Sequence, residues 1–195
     1  MTGVEFVRLA RGVREAIGQR HRFAHTLGVA RLARRLARRH GADAERALLA
    51  GMLHDLARLW PGERLIAGSK ERGLHIDAFE YAHPTVLHAR LGAELARERF
   101  GVTDDAVLSA IRLHTLGAPS MTALDEILYL ADALEPGRTF DERASLEALA
   151  FRNLDAAMRG VLRSAVTYNN GAGRRPAPAT LAAIEFYAAK EKKTA

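Results

Sequence analysis

The sequence predicts an all-α fold, and three observations carry that expectation. Apolar residues recur at three- and four-residue intervals through almost every segment, and no stretch sustains the strict alternation of a half-buried strand. Ala and Leu dominate a hydrophobic fraction of 48%, which suits packed helices and argues against disorder. Glycines and prolines fall where apolar runs of ordinary helix length end. The 195 residues suffice to bury a core without covalent staples. There is no cysteine, so disulfides and thiolate ligands are excluded and any metal is left to nitrogen and oxygen.

Taken in order, the first helix is expected over residues 4–17, amphipathic and closed by Gly18. The second covers 22–39 and stops at Gly41. Its Arg31, Arg34, Arg35, Arg38 and Arg39 share one face, read first as a solvated exterior with Leu32 and Leu36 inward, and second as a phosphate- or RNA-binding stripe. The third, 44–59, is nearly all apolar (ALLAGMLHDLARLW), the mark of a helix central to the fold, and places His54 and Asp55 near its end before Pro61. A short helix follows over 63–72. Pro84 opens the next, to Phe100, because a first helical turn tolerates a missing N–H. Helices over 104–114, with Thr103 as N-cap, and 122–134 are separated by Gly117 and Pro119. A long helix over 142–169, the loop GAGRRPAP and a last helix from about Thr180 complete the chain, with a frayed lysine-rich end at 190–195. No repeat or linker divides it, so a single domain over 1–195 with its core at 20–187 is expected. No apolar run reaches the roughly 18 residues that span a bilayer, and the N-terminal stretch carries Glu5 and Glu15, so no membrane and a cytoplasmic location are expected. The formal charge of +6 favours anionic partners, nucleic acid or small phosphorylated molecules.

The chemistry-bearing residues stand out against this apolar background. Adjacent His54 and Asp55 on a helix point about 100° apart and can approach one cavity from different sides. A carboxylate can bridge two cations, whereas an imidazole ligates one. Alone, the pair is read equally well as a hydrogen-bonded core histidine. It is joined by His25, His88, His114 and Asp132, each in or beside an apolar helical stretch. Burying so many ionisable groups without a cation is costly, and together they supply enough ligands for two divalent metals. His21 precedes His25 by one turn and reads either as a competing ligand or as a second-layer or substrate contact, while His83 competes with His88 as the ligand. His40 and His75 read as surface residues, and Trp60 as a plug at a helix end.

The order H…HD…H…H…D, with HRFAHTLGVA, GMLHDLAR, LHARLGAEL, AIRLHT, ILYLADALEP, NLDAAM and, more weakly, PATLAAIEFY, extends over residues 20–187. In these segments the chain resembles the HD-domain phosphohydrolases in their two-metal form, and more narrowly the YqeK family of symmetrical bis(5'-nucleosyl)-tetraphosphatases. The resemblance implies an HD-domain helical bundle with its metal site between central helices. It implies His25, His54, Asp55, His88, His114 and Asp132 as ligands, with Asp55 bridging. One ion would fall to His25, His54, Asp55 and Asp132, the other to Asp55, His88 and His114. Asp55, His54 and Arg58 would carry catalysis, and Arg22, Arg58, Thr115 and Arg138 would bind substrate. The implied ions are two, iron first, with manganese or another transition metal as alternatives. The implied reaction is attack of a metal-bridging hydroxide on diadenosine tetraphosphate or a related dinucleoside polyphosphate, giving two ADP, with a homodimer compatible. Where the family has Tyr and Lys after its His-Asp pair this chain has Leu56 and Arg58; GRPGM becomes GAPSM and EPNR becomes EPGR, which keeps Arg138. The competing expectations are another HD-type nucleotidase or phosphodiesterase, a di-iron oxygenase, and a basic RNA-binding protein. The GYP signature of cyclic-di-GMP enzymes is missing.

Overall fold

A computed structural model describes residues 2–194 of the chain, and among them there are only helices and loops, with no strand. Helix α1 (Gly3–Ile17) starts on a capping box of Thr2 and Glu5 and ends at Gly18, whose φ of 72° returns its N–H to the Arg14 carbonyl. Helix α2 (Arg20–Arg39) and helix α3 (Ala44–Leu53) form the centre. They meet backbone to backbone at Gly51, where a Cβ would stand 2.6 Å from Ala30 Cα. Val29, Ala33 and Leu36 on α2 and Ala47, Ala50 and Leu53 on α3 are fully buried around that contact. Arg31, Arg35, Arg38 and Arg39 face solvent while Leu32 and Leu36 face the core, as the first reading of that face expected.

The remaining helices close around this pair. They are α4 (Gly62–Glu71), α5 (Ala78–Ala82), α6 (Leu87–Phe100), α7 (Asp105–Leu113), α8 (Ala123–Leu134), α9 (Arg143–Ala150), α10 (Leu154–Gly171) and α11 (Pro178–Thr194). Helix α8 is buried along its length from Leu124 to Ala131 and contacts α2, α3 and α7. Helix α11 is anchored by Tyr187, fully buried, whose hydroxyl donates to Glu126 Oε1 at 2.7 Å. No described helix is long and apolar enough to cross a membrane.

Several boundaries differ from expectation for local reasons. The third helix stops at Leu53, and residues 54–59 continue in tightened turns in which Arg58 N–H donates to the Asp55 carbonyl and Trp60 N–H to Ala57. His54 and Asp55 therefore lie in a turn just beyond the central helix. The segment expected as one helix over 142–169 is two. Asn153 is extended (φ −154°, ψ 109°) and accepts the Ala156 N–H, starting a new helix where a continuous one was expected. Helix α5 was not anticipated; Asp77 and Glu80 build its capping box. Pro84 opens a 3₁₀ turn, Pro84–Val86, ahead of α6. Asp104, not Thr103, caps α7, accepting from Ala106 N–H. Helix α11 runs to Thr194, and residue 195, the last of the segment 190–195, lies outside the described residues.

Candidate metal centre

The six polar residues singled out in the sequence come from five places. His25 lies in the second turn of α2, His54 and Asp55 in the turns after α3, and His88 in the first turn of α6. His114 caps α7 and Asp132 sits in the last turn of α8. The structure brings all six together in one cluster, and Asp55, His88, His114 and Asp132 of it line a cavity. His54 is fully buried, and Asp55, His88 and His114 are buried with it.

The outer nitrogens of the rings fix the chemistry of the inner ones. His54 Nδ1 is 2.8 Å from the Gly51 carbonyl, His88 Nδ1 2.5 Å from Thr85 and His114 Nδ1 2.7 Å from Ile111. His25 Nδ1 is 2.9 Å from the Glu135 carboxylate. Those oxygens only accept, so each Nδ1 carries the hydrogen, and in the neutral ring each Nε2 presents a lone pair. All four Nε2 atoms point into the cluster. His25 Nε2 and His54 Nε2 are buried without a hydrogen bond, although His25 Nε2 lies 3.0 Å from Asp132 Oδ1. His88 Nε2 and His114 Nε2 face each other at 3.2 Å, with the Thr115 hydroxyl 3.2 and 3.1 Å from them. One hydroxyl proton can satisfy only one of two opposed lone pairs, whereas a cation bound to both satisfies both.

The carboxylates complete the donor set. Asp55 Oδ2 is 3.4 Å from His54 Nε2 and 3.9 Å from His25 Nε2, while its Oδ1 is 3.5 Å from His88 Nε2. Three overlapping groups have ligand atoms within 4.8 Å of one another: His25, His54 and Asp55; His54, His114 and Asp132; Asp55, His88 and His114. The electrostatics also favour positive charge. Burial pushes the His54 ring down, but Asp55 and Asp132 more than offset it and raise it to about 9. Burial opposes ionisation of Asp55, yet His54 holds it well below the usual carboxylate range; His25, His54 and Arg138 do the same for Asp132. Burial and the neighbouring His114 push His88 down to about 3, and burial lowers His114 as well. Unpartnered Nε2 atoms, opposed lone pairs and two ionised carboxylates in one buried place are what a divalent nitrogen-oxygen site requires.

The cavity that Asp55, His88, His114 and Asp132 help to line has a volume of about 250 Å³, and its lining also includes Arg22, Arg58 and Arg138 together with Val86, Val161 and Ala165. Arg22 pairs with Asp55 Oδ2 at 3.2 Å, and Arg138 with Asp132 Oδ1. Arg58 has no ion-pair partner among the described residues. Leu56, which stands where the resembled family has Tyr, is buried in the core. His83 is exposed with its ring against Phe79, 4.5 Å between centroids, while His88 occupies the cluster. His21 and His75 are exposed. His40 is half-buried, not at the surface, because its Nε2 meets the Ala150 carbonyl at 2.7 Å. Trp60 is half-buried under the Arg64 guanidinium. Glu135 escaped the sequence reading. Its only signal was position, directly after the apolar run ILYLADAL and before a proline.

The HD domain family model matches residues 22–137, the span that holds all six clustered side chains, so fold and site together define an HD domain. Such a domain depends on divalent metal. The chain is 36% identical over 151 residues to the symmetrical bis(5'-nucleosyl)-tetraphosphatase of Bacillus subtilis, covering 76% of this chain and 79% of that protein. A protein of the same description from Halalkalibacterium halodurans is 36% identical over 148 residues, covering 76% and 79%. A crystal structure of a predicted HD superfamily hydrolase involved in NAD metabolism, from Clostridium acetobutylicum, superposes with a TM-score of 0.91 at 30% identity, over 95% of this chain and 97% of that one. The chain belongs to the HD-domain family of symmetrical bis(5'-nucleosyl)-tetraphosphatases.

Proposed function

We propose that the protein hydrolyses diadenosine tetraphosphate and related dinucleoside polyphosphates at the central anhydride, giving two ADP. The observation that carries this reading is the convergence of four Nε2 atoms and two carboxylates beside an arginine-lined cavity, in a chain similar to proteins named for that reaction. His25, His54, Asp55 and Asp132 would hold one divalent ion and Asp55, His88 and His114 a second; the family resemblance favours iron, with manganese or another transition metal compatible with the same nitrogen and oxygen ligands. When bound, such ions polarise phosphoryl oxygens and lower the pKa of water.

The chain's own groups supply the rest. Arg58, free of an ion pair, binds the phosphate chain, and Arg22 and Arg138 hold Asp55 and Asp132 in place while offering their remaining N–H groups to phosphate oxygens. The Thr115 hydroxyl, which also lines the cavity, can donate to a substrate oxygen. Val86, Val161 and Ala165, in the same lining, limit water around the phosphates. A cavity of about 250 Å³ is below the ~300–1,000 Å³ that buries a drug-sized ligand, so it admits the phosphates and leaves the nucleosides at the rim. In the net reaction a water oxygen bonds to one central phosphorus, the bridging P–O bond breaks, and the proton lost by water is balanced by the leaving ADP or solvent.

The test is an anaerobic assay of iron-loaded protein on diadenosine tetraphosphate with products resolved by ion exchange. ADP alone is expected. AMP plus ATP would move the cleavage away from the central anhydride, and no product from metal-loaded protein would reject this substrate class.

A further inference from the structure

The four histidines of the cluster are not held alike. Three of them, His54, His88 and His114, donate from Nδ1 to the main-chain carbonyl three residues earlier. His54 and His114 directly follow α3 and α7, where the last carbonyls lack an intrahelical N–H, and His88 opens α6 beside the 3₁₀ turn that holds Thr85. His25 lies in the second turn of α2, inside the helix, where the carbonyls are committed to helical N–H groups. Its Nδ1 instead meets Oε1 of Glu135, 110 positions away in sequence and at the C-terminal cap of α8.

Glu135 is itself tightly placed. It is 6% exposed, and its second oxygen accepts the Gly137 N–H at 2.9 Å. The space around it is left by two glycines: a Cβ at Gly28 would stand 2.7 Å from Oε2, and one at Gly137 2.7 Å from Oε1. Both oxygens are therefore used, one for the ring and one for the main chain, and the two glycines leave the carboxylate little room to move.

Building on the ligand assignment proposed above, we propose that Glu135 is the positioning residue of His25: it fixes the ring's tautomer and aim and makes its Nε2 a stronger donor than the other three, so that the ion on the His25 side is held the more tightly. A carboxylate behind an imidazole draws the Nδ1 proton towards itself and leaves more electron density at Nε2, which a carbonyl does only weakly. The two ions of the site are thus unequal by construction, with the carboxylate-backed position first to fill and last to empty.

The experiment is a manganese(II) titration of metal-free wild type, Glu135→Gln and Gly28→Ala, followed by electron paramagnetic resonance under non-turnover conditions. Glutamine keeps the shape but has one acceptor oxygen, which cannot serve both the ring and Gly137 N–H. Gly28→Ala leaves every ligand and Glu135 itself in place and only crowds the carboxylate. Wild type is expected to bind two ions with distinct affinities. In both variants the tighter class weakens by about 10–100-fold while the other is unchanged, and the thermal midpoint of the metal-free protein changes little. Two classes retained at wild-type affinity in Glu135→Gln, or both weakened in parallel, would overturn the proposal while leaving the ligand assignment standing. Wild type that takes up no manganese would overturn the ligand assignment and this proposal with it.

Discussion

Arg58 shows how much a single side chain can be asked to do in this cavity. Arg22 and Arg138 are committed to Asp55 and Asp132, while Arg58 has no ion pair among the described residues and, on the proposed reading, meets the incoming phosphate. A charge-assisted hydrogen bond contributes about 1.5–3 kcal/mol, so Arg58→Ala should raise KM for the dinucleotide by roughly 10–100-fold with a smaller change in kcat. Steady-state kinetics at saturating metal checks this; an unchanged KM would remove Arg58 from the phosphate site. The residues that cluster were legible in the sequence because a histidine or aspartate inside an apolar helix is conspicuous. Glu135 was not, since a glutamate beside a proline at a helix end is ordinarily solvated. Nothing in its neighbourhood signals a partner 110 positions away.

At the level of elements, the distance between α2 and α3 sets whether His25 and His54 can share a site. That distance is set by Gly51, whose missing Cβ lets Ala30 Cα approach; any side chain there must push backbone, which cannot rotate away. Gly51→Ala should destabilise the fold by about 1–3 kcal/mol, the range for an overpacked core, although alanine favours the helix itself. Denaturant unfolding reads this, and a variant as stable as wild type would mean the two helices separate without cost. The order of the helices was readable from periodicity and from Gly18, Gly41 and Pro61. Their internal breaks were less so. The run after Leu53 keeps an apolar pattern that a helix would share, and only the tightened turns at Asp55 and Ala57 end it. The break at Asn153 depends on one side chain choosing the Ala156 N–H over solvent, and α5 is too short to show a period.

At the scale of the whole molecule, the candidate ligands tie together α2, the turns after α3, α6, α7 and α8. A ligand bound only by the folded state stabilises it by about 2.7 kcal/mol at a hundredfold excess over its Kd. Stripping divalent metal with a chelator should therefore lower the midpoint of a single cooperative transition rather than melt one helix. Calorimetry with and without chelator would show it, and an unshifted midpoint would mean that these side chains hold no ion in the folded state. The same bundle bears on inheritance. Three of its four imidazoles are aimed by peptide oxygens at Gly51, Thr85 and Ile111, and a peptide oxygen survives every codon change. Lineages can exchange the side chains at Thr85 and Ile111 and keep the same aim. The fourth latch is written in a glutamate codon, so on the proposed reading drift can lose the aim of His25 through a position outside the ligand set itself.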